Sequence, residues 1–417
     1  MRNTIAFLFY ILVYITNYTV YAQTFRTETL SEAIRTLRVF PSGHWNLPPI
    51  IQLQQNESIE ISFDLLGATP EYFTYRILHC DAGWTPSQLA QSEYLDGLQN
   101  YPVDDYAHSF NTTMDYVNYR LLIPNEQVHL KVSGNYVVQI LSANGSQTVL
   151  TACFSVVEPQ AGIQMQVSPV TDKGVNTKYQ AVSFEVNYGN DIQSPIQDLK
   201  VYVLQNNRFD NEAKLVKPLN LQNKKALYDH SPTLIFEAGN EYRSFEMTTI
   251  HYAGLHIEAV EFYDPYYHTT LKPDALRSNR SYLFNEDING RLFVRNNEAE
   301  DSDIEADYHF VHFYLPCNQP FQDNVYILSE AFNNILDTRS QIEYSAADNG
   351  YIKSVLLKEG YYNYLYVNRK NNTSPASAAL VEGDYYQTEN EYRVMVYARP
   401  IGWRYDKLIG VQTIQFK

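Results

Sequence analysis

The stretch Tyr75-Arg76-Ile77-Leu78-His79-Cys80-Asp81-Ala82-Gly83-Trp84-Thr85-Pro86-Ser87 starts as an alternating strand and ends in a turn of Asp, Gly, Trp and Pro. Alternation places Tyr75 and Ile77 on one face of a half-buried strand, and the Gly and Pro that follow stop it. The same rhythm recurs at Ile59, Ile61 and Phe63, at Tyr136, Val138 and Ile140, at Val182, Phe184 and Val186, and at Val201 and Val203. Tyr is abundant, at 36 residues, while helix-favouring runs of Ala, Leu, Glu and Lys are scarce. Turn clusters of Asn, Gly, Asp and Pro separate the segments. The pattern predicts an all-β chain of tandem immunoglobulin-like β-sandwich domains after an N-terminal signal peptide. Helix is expected only as short turns, as in 86–95, which opens with Pro86.

Residues 1–22 read as that signal peptide. Arg2 supplies the positive start, Ile5 to Ile15 is mostly apolar, and Val20-Tyr21-Ala22 fits a cleavage site before Gln23. The apolar run falls short of the ~20 residues that span a bilayer, and no later segment is apolar enough to span. A secreted chain that is not membrane-spanning is expected. The formal net charge of −16 argues against nucleic acid and anionic lipid, both of which attract Lys and Arg clusters. It favours solubility, or docking on a basic or polar partner. Only Cys80, Cys153 and Cys317 occur, too few for a disulfide scaffold. Cys80 and Cys153 lie on predicted strands of one module, which leaves one bridge geometrically open and Cys317 as the odd thiol.

Three places repeat one device. Leu130 leads to Gly134-Asn135-Tyr136, Phe236 to Gly239-Asn240-Glu241-Tyr242, and Leu357 to Gly360-Tyr361-Tyr362. A Gly followed by a Tyr at a strand start resembles the corner of immunoglobulin-like sandwiches, where the tyrosine hydroxyl bonds back to nearby main chain. Their spacing predicts three sandwiches in tandem, over 23–158, 159–300 and 301–417. The first boundary falls at Glu158-Pro159-Gln160-Ala161-Gly162, where Pro and Gly punctuate the chain. The second falls in the acidic run Asn296 to Asp307, whose carboxylates repel one another and are expected to form a solvated linker.

A search for chemistry finds no constellation. Asp301-x-Asp303-x-Glu305 opens like a calcium loop, but Ala306 stands where that loop needs Gly, and His312 where it needs a bidentate Glu. His309 with His312, and His251 with His256, are spaced to opposite faces of a strand, away from one shared ion. HExxH, GxSxG, CxxC and Gly-rich phosphate loops are absent. His79 and Cys80 are adjacent on a strand and face apart, so the imidazole is poorly placed to activate the thiol. Among 47 acidic residues chance carboxylate pairs abound and none is singled out. Neither enzymatic activity nor a cofactor or metal is expected. Trp84 with Pro86, and Trp45 with Pro48 and Pro49, sit in turns. Each Trp is either the cap of its own sandwich core or an aromatic anchor for an interface.

Taken with Glu93-Tyr94-Leu95-Asp96-Gly97, Ser109-Phe110-Asn111-Thr112 and Ser133-Gly134-Asn135-Tyr136, the opening stretch resembles the N-terminal module of the type IX secretion system plug proteins. Gly239-Asn240-Glu241-Tyr242-Arg243, Tyr263-Asp264-Pro265, Gln387-Thr388-Glu389-Asn390-Glu391-Tyr392 and Asp406-Lys407-Leu408-Ile409-Gly410 extend the likeness along the chain. The resemblance implies a non-enzymatic periplasmic plug, peripherally associated with the outer membrane. Its implied partner is the outer-membrane translocon barrel, whose periplasmic mouth it closes when no cargo is moving. Residues 324–334 and 356–367 also resemble starch- and glycogen-binding sandwich modules, with Ile335 where the usual Trp follows the Phe-Asn motif. That second likeness implies the alternative, a secreted glycan-binding protein that stacks sugar on Tyr361 or Tyr364.

Overall fold

A computed structural model of the chain describes residues 24–143, 145, 147–371 and 374–417. The signal-peptide assignment and its Ala22–Gln23 junction lie outside the described residues. The protein is all-β, and its α-helices are single turns at Gln91–Tyr94, Pro195–Asp198 and Ser302–Glu305.

Residues 24–158 form the first sandwich. One sheet pairs Ile34–Pro41, Ile59–Leu66, Tyr116–Ile123 and Tyr106–His108; the other is built on Thr74–Cys80, Gly134–Leu141 and Thr148–Val157. Ile59, Ile61, Phe63, Tyr75, Ile77, Tyr136 and Val138 meet between them, as alternation requires. Yet the opposite faces are buried too: Ser62, Asp64 and Asn118 on the first sheet, Asn135, Thr151 and Ser155 on the second. Part of each outer face of this sandwich is therefore covered, while Arg76, Arg120 and Leu122 stay exposed.

The middle sandwich is discontinuous in sequence. Its first sheet holds Gly162–Ser168, Tyr179–Asn187 and Lys225–Tyr228. Its second pairs Leu199–Gln205 with Asn390–Ala398, and that strand with Lys407–Phe416. Val182, Phe184, Val201, Tyr392 and Val394 share its core. The third sandwich is inserted between Tyr242 and Glu382. Its strands, from Arg243–Met247 to Gly360–Arg369, form one folded nine-stranded sheet around Phe245, Phe313, Tyr351 and Tyr364.

The expected division into 159–300 and 301–417 is therefore corrected. Residues 243–294 pair with strands beyond 308, and residues 390–416 return to the middle sandwich. A strand's own residues specify which face is apolar, not which distant strand will lie beside it. The tyrosine corners also divide. Tyr136 donates to Val132 O (2.8 Å) and Tyr362 to Lys358 O, each four residues back. Tyr242 makes no such bond; it packs with Tyr326, Leu328 and Leu365 at the neck of the insertion.

Candidate functional site

The opening stretch of sequence builds a joint. After the strand Thr74–Cys80 the chain turns at Asp81–Trp84, closed by Trp84 N–H to Asp81 O (2.9 Å), with Trp84 at φ +60°. Asp81 accepts from the Asp406 amide (3.1 Å), and Ala82 N–H donates to Asp406 Oδ2 (3.0 Å). Lys200 reaches the same Asp406 carboxylate at 2.9 Å, and Arg399 ion-pairs with both Asp81 and Asp406. Beside this cluster, Asn135 Oδ1 accepts from Ser155 and Tyr397 at 2.8 Å each. Ala82, Val157, Tyr202, Met395, Tyr397 and Leu408 seal the seam with apolar contact. The strings around Asp81, Asn135 and Asp406, far apart in sequence, thus meet where the first and middle sandwiches join.

His79 lies beneath this turn. Its ring sits 2.8 Å from Ser87 Oγ and 3.2 Å from Ser133 O, edge-on to Tyr136 and Tyr405. Burial pulls its pKa down to about 4, so the ring is neutral at pH 7. Gly134, at φ +135°, lets the main chain pass this ring; a Cβ there would lie 2.4 Å from His79 Nε2.

The acidic run builds the second joint, which corrects the expectation of a solvated linker. Asp303 pairs with Arg38 at 2.6 Å, and Asp307 accepts from the amides of Thr113 (2.7 Å) and Met114 (3.2 Å). Tyr116 donates to Ala306 O (2.8 Å). At the centre, Asp64 of the first sandwich receives Tyr308 and Lys358 of the inserted one, both at 2.6 Å. Lys358 is 1 % exposed and lies 4.0 Å from the Tyr116 ring centroid. Burial lowers the Lys358 pKa, with Asp64 acting against that shift. Crowded carboxylates are stable here because cations and amide hydrogens from the neighbouring sandwich meet them.

A third joint closes the neck of the insertion. Arg243 bridges Asp274 (2.8 Å) and Glu382 (2.9 Å), Arg277 adds a bond to Glu382 (2.6 Å), and Tyr364 and Tyr366 each donate to Asp274 at 2.8 Å. Asn240 donates to Glu382 O (2.7 Å), and the Glu389 amide donates to Glu241 (3.1 Å). The strings at 239–243 and 387–392 therefore face each other across this neck.

Trp45 is half-buried and packs at a tilt against Phe293 of the inserted sandwich, with centroids 4.5 Å apart. Trp84 is half-buried against Phe25, Cys80, Val137 and Cys153, and borders a cleft that all three sandwiches line. Pro86 is exposed and bridges back to Cys80. Cys80 and Cys153 are free, buried thiols. The bridge left open by their common module is not formed. Strand Gly134–Leu141 runs between their strands, separating them by two strand spacings of roughly 5 Å each, beyond disulfide reach. Tyr364 is 1 % exposed, so its ring presents no free face to a sugar; Tyr361 is half-buried, with its hydroxyl 2.8 Å from Ser244 Oγ. Among the described residues, no group of three or more His, Cys, Asp or Glu is arranged to hold a metal.

Sequence reasoning missed Asp64, Lys200, Lys358 and Arg399. On an alternating strand, a polar face covered by another domain reads the same as one facing water.

These joints define the class of protein: a body of three β-sandwiches held together by buried charged networks. None of the described helices is long and apolar enough to cross a membrane. A family model described as the type 9 secretion system plug protein 1st domain matches residues 34–158. The crystal structure of a hypothetical protein from Parabacteroides merdae is 43 % identical, with TM-score 0.93, covering 94 % of this chain and 100 % of that one. The C-terminal domain of the Streptococcus agalactiae AgI/II polypeptide BspA, 7 % identical with TM-score 0.14 over 89 % of this chain and 93 % of its own, carries no argument. No curated protein matches the sequence. Residues 34–158 thus carry the first domain of the type IX secretion system plug proteins.

Proposed function

We propose that the protein is a non-enzymatic periplasmic plug. It docks on the periplasmic mouth of the outer-membrane translocon barrel of the type IX secretion system and closes it while no cargo is moving. The plug-protein first domain at residues 34–158 supports the setting. One structural observation carries the physical reading: Asp64–Lys358 and Asp81–Arg399–Asp406 lock the first sandwich to both of the others. A barrel of about 36 strands leaves a lumen too wide for its own side chains to fill. A stopper for such a pore must resist deformation and needs a broad surface rather than a reactive group.

The test is a pull-down from detergent-solubilised outer membranes with the tagged chain, paired with a periplasmic leakage assay in cells lacking it. Co-purification of a giant outer-membrane barrel and increased leakage are expected. Equal sealing with and without the protein would remove the proposal.

A further inference from the structure

Strand Ile34–Pro41 is broken by a β-bulge. Arg35 pairs with Asp64, but pairing resumes only at Arg38 with Ser62, so one extra residue is fitted in. Thr36, inside the bulge, has φ +47°, a conformation that β-branched residues rarely adopt. In an unbroken strand Arg35 and Thr36 would face opposite sides. Here Arg35, Thr36 and Leu37 all line one cleft of about 260 Å³ between the first and inserted sandwiches.

Arg339 and Lys353 form the facing wall. Arg339 is held by Asp337 at 2.6 Å, and Lys353 by two carbonyls, Gln341 O at 2.8 Å and Thr338 O at 3.4 Å. Arg35 has no such partner. Its Nε is buried without a hydrogen bond, and among the described residues no carboxylate pairs with its guanidinium. A buried donor left unmade costs stability unless something else meets it. In a chain of net charge −16, the lining holds three cations and no Asp or Glu. The rest of the wall mixes neutral polar side chains, Thr29, Thr36, Asn333 and Ser354, with apolar ones, among them Leu37, Leu292, Phe332 and Leu357.

We propose that this cleft binds a small amphiphilic carboxylate, an acyl or aryl acid whose carboxylate meets Arg35 while its apolar body lies along Leu292, Phe332 and Leu357. The bulge serves to turn the guanidinium inward. Because both sandwiches contribute, the bound acid ties the first sandwich to the inserted one. The site stands independently of the docking role.

Calorimetric titration of the full chain with sodium octanoate tests the assignment, with octanol and inorganic phosphate as controls. Saturable one-to-one binding is expected for octanoate, with a rise in melting temperature. Arg35→Gln should weaken it about tenfold or more, the loss of one charged hydrogen bond. Lys353→Gln, on the opposite sandwich, gives the same reading should Arg35→Gln disturb the strand. No saturation up to about 10 mM, or equal affinity in both variants, overturns the site. Equal binding of octanol removes the anionic part of the assignment, and phosphate binding as tightly as octanoate removes the apolar part.

Discussion

Asp64 is fully buried and accepts from Asn118, Tyr308 and Lys358, so three donors converge on it. Asp64→Asn leaves the Lys358 ammonium buried without its counter-charge and should lower unfolding free energy by about 3–5 kcal/mol in a denaturant titration. Asp64→Leu combined with Lys358→Met removes both charges and should lose less than the single change. A double variant as unstable as the single one would show that packing, not charge, holds the joint. His79 gives a second residue-scale test. Its folded pKa of about 4 lies below the ordinary 6.5, so between those values the unfolded chain takes up a proton that the folded protein refuses. Its contribution is complete above pH 6.5 and is lost as pH falls towards 4, by roughly 3 kcal/mol. Burial raises Glu241 and Glu359 to about 7, and those groups act in the opposite sense, favouring the fold as pH falls from 7 to 4.5. The measurement is therefore the difference between wild type and His79→Asn across pH 4–7. That difference should shrink as the solution is acidified; a constant gap would place the effect elsewhere.

At the scale of the element, two of the three matches of Gly followed by Tyr complete a tyrosine corner. Each ties a strand start to the turn before it through one buried hydroxyl. Tyr136→Phe leaves Val132 O without its donor and should cost about 1–3 kcal/mol. Tyr362→Phe should behave alike at Lys358 O. An unchanged melting temperature in both variants would mean that the corner is decorative. The corner motif was legible because it is local: the partner carbonyl lies four residues away. The third match, at Tyr242, failed because the chain there leaves one sandwich for another, and tertiary packing gave its ring a different neighbourhood. The acidic run shows the same limit. Its charge pattern is plain in the sequence, but Arg38 and the amides of Thr113 and Met114, which make it a joint, come from positions almost 200 or more residues distant.

For the whole molecule, the discontinuous middle sandwich gives a direct test. Residues 159–300 expressed alone lack the strands Asn390–Ala398 and Lys407–Phe416 that complete their sheet. They should remain unfolded by circular dichroism and amide NMR dispersion. Residues 159–238 joined to 387–417 by a short Gly-Ser linker should fold. A folded 159–300 fragment would contradict the insertion. The sequence by itself determined the strand periodicity, the all-β class, the first boundary near Pro159 and the family likeness, because each resides in residues close along the chain. Only the tertiary structure decided that the third sandwich interrupts the second, that Cys80 and Cys153 stand a strand apart, and that Asp64 and Asp406 are buried, and Asp81 and Asp303 half-buried, at joints. Those outcomes depend on which distant surfaces come together, and an alternating strand presents the same polar face whether water or another sandwich will cover it.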